Sequence, residues 1–167
     1  MEPLVDCVIE DKRWKALGLE PLAQRAVRAT LAELGLPPSG FTLSLMGCDD
    51  ARMTKLNASF RKKDLPTNVL SWPYEDLSVE DEGGVPDLPE PGAPDDQTPL
   101  GDIALAYTTC AREASEAGKP MADHTCHLIV HGLLHCLGYD HTRDGDGALM
   151  EATEARILAT LGISDPY

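Results

Sequence analysis

No segment of this chain is apolar over the length of a membrane-spanning helix, and its first residues, MEPLVDCVIE, lack the basic start and apolar centre of a signal peptide. Both absences point to a cytoplasmic protein that neither enters nor crosses a membrane. Cysteine is sparse and scattered, at 7, 48, 110, 126 and 136, with no C-x-x-C pair. That excludes a disulfide framework and a Cys-rich zinc module, and it fits buried thiols in a reducing compartment. Positive charge is also scarce, 14 Lys and Arg against 28 Asp and Glu, for a net charge of −14. Broad, charge-driven coating of nucleic acid is therefore excluded, but a local contact is not. Residues 75–99 hold nine acids and no base, and without them the remainder stands at −5. Residues 52–63 hold Arg52, Lys55, Arg61, Lys62 and Lys63 and no acid. Phosphate contacts need only such a patch.

What is present suits one globular domain over 1–167, with 43% hydrophobic residues and a mean hydropathy of −0.21. Strands are expected at Leu4 to Ile9, at Phe41 to Met46 from the alternation FTLSLM, at VLSW (69–72) and at LGDIALA (100–106). Helices are expected from Pro21 to Leu34, from Asp49 or Asp50 to about Phe60, over 108–117, over 121–137, and from about Asp146 to Leu161. Between the third and fourth strands lies a Pro-, Gly- and acid-rich stretch with little to bury, which reads as a mobile acidic loop over 75–99. The fold class is α+β: a mixed four-stranded sheet packed with about five helices around a central histidine-bearing helix.

All five histidines fall in one 18-residue window, HTCHLIVHGLLHCLGYDH, at 124, 127, 131, 135 and 141. His131 and His135 share a helix face, and Gly138 can end that helix so that the chain turns back and presents His141 to the same point. Three converging imidazoles leave the fourth position of a tetrahedral zinc open to water, the catalytic pattern, and Cys126 and Cys136 lie off the histidine stripe. The ligand set is thus His131, His135 and His141 for one zinc ion per chain, although imidazole also suits nickel, copper and iron. H-x3-H-x2-G-x2-H is also the metal frame of metzincin peptidases, which carry a glutamate base directly after the first histidine. Here that position is Gly132, which cannot take a proton.

His131-Gly-Leu-Leu-His-Cys-Leu-Gly-Tyr-Asp-His141 resembles the HGxLHLxGYDH signature of the YbeY family of bacterial endoribonucleases. Asn57-Ala-Ser-Phe-Arg61 with Pro66-Thr-Asn-Val-Leu-Ser-Trp-Pro73 is similar to that family's N-x-x-[YF]-R and P-T-[DN]-V-L-S-F-P segments, and Leu100-Gly-Asp-Ile103 to its L-G-D-[IL] strand. Trp72 stands for the usual Phe, Cys136 for the usual Leu, and the acidic loop looks longer than typical. The resemblance implies a single-strand-specific, metal-dependent endoribonuclease that matures the 3′ end of 16S ribosomal RNA and acts in ribosome quality control. Its partners would be single-stranded rRNA precursor, the small subunit and its assembly factors, with no DNA and no membrane.

Arg61 matches the family's arginine near the metal and is assigned, with His131, to catalysis. Arg61, Asn68, Ser71 and His127 are assigned to substrate binding, and Asp140 to orienting a ligand imidazole. Glu151 and Glu154 suit a helix face or the metal's outer surroundings better than ligation, and Tyr139 suits packing. Two other readings stand beside this one: a ribosome-assembly factor with a mainly structural metal, and, less favoured by Gly132, a metzincin-like peptidase.

Overall fold

The computed structural model describes residues 4–61 and 67–167, with only the backbone of Phe60 and Arg61. Ten elements follow in order: β1 Val5–Ile9, α1 Lys12–Leu17, α2 Leu19–Glu33, β2 Phe41–Cys48, α3 Asp50–Arg61, β3 Val69–Pro73, β4 Thr98–Ala106, α4 Tyr107–Glu116, α5 Met121–Cys136 and α6 Asp144–Thr160. The fold is the expected α+β domain, with six helices among the described residues rather than about five. The addition is α1. At six residues it is too short to show apolar periodicity, but Asp11 caps it by accepting from Arg13 N–H at 3.0 Å. It exists to bury Trp14, whose indole N–H donates to Cys48 C=O at 3.0 Å and whose ring meets Tyr107 edge-on.

The sheet runs β1-β2-β4-β3, with β1, β2 and β4 parallel and β3 antiparallel to β4. Parallel strands need helical crossovers, and α1–α2 and α3 supply them. Alternation along β2 and β4 sends Leu43, Leu45, Ile103 and Leu105 to one face, where they join α2 and α5 in the main core. Ala104, Ala106 and Leu70 face the other side, with Met53 of α3. Helix α5 is buried between the sheet and the surrounding helices because Ile129, Val130, Leu133 and Leu134 are all fully enclosed. Packing of that apolar girdle, more than helix propensity, holds α5 in place.

The stretch from 74 to 97 contains no helix or strand apart from one isolated bridge, Ala93 to Asp96. It is nevertheless tied to the body. Arg143 donates to the carbonyls of Glu80 (2.7 Å) and Val79 (3.4 Å), Gly83 N–H donates to Asp146 (2.8 Å), and Gly145 N–H donates to Glu82 (2.9 Å). At its far end Gly92 and Thr98 both donate to Gly40 C=O at 2.9 Å. No helix among the described residues is long and apolar enough to cross a membrane.

Candidate metal centre

The stripe His124, His127, His131 and His135 runs along one face of α5 at spacings of three, four and four, so the rings stack up the helix rather than circling it. A Schellman motif ends the helix: Tyr139 N–H donates to Leu134 C=O (2.9 Å) and Gly138 N–H to His135 C=O (3.1 Å), with Gly138 at φ +98°. Asp140 then folds the chain back by accepting from His141 N–H (2.7 Å) and the Thr142 hydroxyl (3.1 Å). Tyr139 is buried, as expected of a packing residue. The result brings His141 beside the stripe, with ring centroids 5.6 Å from His131 and 5.1 Å from His135.

One ring nitrogen from each of His131, His135 and His141 lies within 4.8 Å of the others. The Nε2 atoms of His131 and His135 are 3.1 Å apart. Two nitrogens at about 2.05 Å from a tetrahedral zinc would be ~3.3 Å apart, so the pair is already spaced to share an ion. Among the described residues this group has no fourth protein donor, which leaves one position open. Burial, and after it the neighbouring His131 and His141, push His135 down to about 4, which keeps its imidazole neutral as a ligand must be. Cys126 and Cys136 are buried, and burial pushes the Cys136 thiol up to about 12, where it stays protonated.

Glu154 of α6 completes the arrangement. Its carboxylate is fully buried, with Oε1 2.8 Å from His127 Nε2 and Oε2 3.2 Å from His131 Nδ1. The Tyr167 hydroxyl also donates to it, at 3.0 Å to Oε2 and 3.2 Å to Oε1. Burial alone would raise this acid, but the hydrogen bonds from His127 and His131 outweigh it and hold Glu154 at about 2. As an anion that can only accept, it keeps the proton of His131 on Nδ1 and leaves the Nε2 lone pair facing His135. His127, His131 and Glu154 form a second cluster able to take a cation, but there Nδ1 of His131 would have to give up its proton. The three-histidine set has no such requirement and fits a metal better.

The remaining residues singled out in the sequence fall around this centre. A cleft of about 740 Å³ is lined by His131, His135 and His141 together with Asn68, Ser71 and Asp140. Ser71 sits opposite Ile103 in the β3–β4 register, on the α5 side of the sheet. Asn68 is largely committed: it accepts from Val69 N–H (2.6 Å) and donates to Glu113 (3.0 Å), which also bonds His124 (2.9 Å). Asp140 stands 4.0 Å from His141 Nδ1, and its hydrogen bonds go to His141 N–H and the Thr142 hydroxyl in the turn rather than to the ring. The side chain of Arg61 lies outside the described residues; its backbone closes α3, and the chain is described again at Thr67 on the cleft wall.

Gly132 packs on Ile103, where a Cβ would come within 3.2 Å of Cδ1, so a side chain beside His131 would require that isoleucine to give way. Sequence reasoning placed Glu154 near the metal's surroundings without assigning it a partner, and it missed Tyr167. The signal for Glu154 was a carboxylate inside the apolar stripe Met150, Ile157, Leu158 of α6. For Tyr167 it was only the likeness of the tail Asp165-Pro166-Tyr167 to segments of some members of the resembled family.

Fold and site together define an α+β domain whose three clustered imidazoles could hold a metal ion, one of them backed by a buried carboxylate. The sequence profile described as "Endoribonuclease YbeY" matches residues 6–162. Proteins named Endoribonuclease YbeY are similar throughout: that of Cereibacter sphaeroides is 62% identical over the full length of both chains, and that of Ruegeria pomeroyi 61% identical over 98% of this chain and 97% of its own. The chain belongs to this endoribonuclease family. Its fold is also that of the Thermotoga maritima protein TM1509, whose solution structure aligns with a TM-score of 0.55 at 20% identity over 97% of both chains.

Proposed function

We propose that this protein is a zinc-dependent endoribonuclease, one ion per chain, that cuts single-stranded RNA in the cytoplasm during 3′-end maturation of 16S ribosomal RNA and ribosome quality control. The observation that carries the reading is the carboxylate-backed set of three histidines with an open position facing a cleft. A divalent ion held there would supply positive charge to a phosphoryl oxygen and acidify a water molecule.

The chain's own residues supply the rest. His131, His135 and His141 hold the ion, and Glu154 keeps His131 in the tautomer that can do so. Arg61, at the end of the basic α3, offers a permanent planar cation to phosphate oxygens. Ser71 and Asn68 line the cleft on the path of the substrate, whereas His127, also expected to bind it, is outside that lining and bonded to Glu154. One wall of the cleft is Tyr74, Glu75, Asp76 and Leu77, the start of the acidic stretch. Carboxylates there repel a second phosphate backbone, and Tyr74, a residue 69% exposed at the rim, gives an unpaired base a ring to stack on. Both features favour single strands. The ribosomal small subunit and its assembly factors are the partners this role requires.

The test is cleavage of a single-stranded RNA carrying the small-subunit 3′ sequence by wild type, His135→Ala and Arg61→Ala, with bound metal counted in each. Wild type cuts, His135→Ala loses metal and cutting, and Arg61→Ala keeps its metal but not its activity. Equal residual cutting by all three would mark a contaminant and put the assembly-factor reading first.

A further inference from the structure

Glu154 meets three donors, and only two come from the histidine helix. The third arrives from the tail. After α6 the chain reverses at Gly162, with Ile163 N–H donating to Leu158 C=O at 2.9 Å, and a turn closed by Tyr167 N–H to Asp165 Oδ1 at 2.9 Å follows. Tyr167 therefore ends beside the middle of the helix it has just left. The residue is 58% exposed and its ring lies edge-on to His127 with centroids 6.0 Å apart, yet its hydroxyl reaches a carboxylate that is wholly buried.

The oxygen that Tyr167 approaches most closely, Oε2, is the one that faces His131 Nδ1. A carboxylate turns about its last bond with little resistance, so two contacts on the histidine side leave its plane weakly defined. A third donor on Oε2 from the opposite element fixes that plane. Burial and the charge of Glu154 also hold the Tyr167 phenol well above its ordinary value, so its proton stays available to donate.

We propose that Tyr167 is a positioning residue of the metal centre: its hydroxyl fixes the Glu154 carboxylate that keeps His131 Nδ1 protonated and Nε2 free for the ion. The inference rests on the reading of His131, His135 and His141 as metal ligands. By linkage, a bound ion in turn holds the tail against the body.

The experiment measures the zinc affinity of the full chain by competition with a chromophoric chelator, for wild type, Tyr167→Phe, Glu154→Gln and the double variant. Thermal melting of each metal-free form is recorded alongside. Partners of a ligand imidazole carry roughly 10- to 100-fold in metal affinity. Tyr167→Phe is expected to weaken zinc about 10-fold while the metal-free melting temperature stays within about 2 °C of wild type. Because it acts through Glu154, the same change made on Glu154→Gln should weaken zinc less. Zinc affinity unchanged by Tyr167→Phe overturns the proposal. So does a loss that is matched by lower metal-free stability, or one just as large on Glu154→Gln, since either would mean packing alone. A wild type that binds no zinc would instead sink the metal reading on which the proposal stands.

Discussion

Gly138 joins the helix that carries His131 and His135 to the turn that carries His141, and Gly138→Ala isolates the energetics of that joint. At φ +98° an L-residue is strained by roughly 1–2 kcal/mol, since Cβ crowds the neighbouring carbonyl. The Cβ would also sit 2.7 Å from Leu77 C and 2.8 Å from Ser78 N. Those are backbone atoms, so the segment must move bodily, and Leu77 is buried in the main core. Overpacking of this kind costs about 1–3 kcal/mol. The sum, about 2–5 kcal/mol, corresponds to a fall of ~6–15 °C in melting temperature for a domain of this size. Urea unfolding of the metal-free protein would measure the loss directly, and chelator competition would show weaker zinc binding as His141 is displaced from His131 and His135. A loss below about 0.5 kcal/mol with zinc affinity unchanged would refute the reasoning, because it would mean that the 77–78 segment does not press on the turn.

Acid should unfold the metal-free protein through the same network. Glu154 lies near 2 in the fold against an ordinary 4.5, so it contributes about 3 kcal/mol that is fully present above pH 4.5 and lost as pH falls towards 2. His135, held near 4 against 6.5, works in the same direction between those two values, because the unfolded chain takes up its proton first. Unfolding in urea from pH 7 to pH 3 should show Glu154→Gln less stable at neutrality but flatter below pH 4.5; curves that run parallel to wild type would disprove the assignment. At the rim of the cleft, Tyr74→Ala should weaken single-stranded RNA binding by about 1–3 kcal/mol, roughly 5- to 150-fold, with metal content unchanged. RNA titrations giving equal affinities would remove Tyr74 from the substrate path.

The three-histidine cluster could be read without a structure because the interactions that bring it together are local. His131 and His135 are one turn apart on a single helix, and Gly138 and Asp140 return His141 within six residues, so spacing and turn chemistry imply the trio. The strands and long helices were legible for the same reason: the alternation in FTLSLM and the apolar stripe of α2 record which face each element buries. Helix α1 and the parallel order β1-β2-β4 were not, because one is too short to carry a period and the other depends on which strands meet.

The contacts that surround the site belong to the tertiary structure. Glu154 is 23 residues from His131, and Tyr167 is 40 from His127. The acidic stretch, which by composition has little to bury, is tied down by its backbone through Arg143, just before α6, and Asp146 in its first turn. Such contacts leave no periodic trace, since any chain offers a carbonyl or an N–H at every non-proline residue. A buried carboxylate is tolerated only where packing has already gathered its donors.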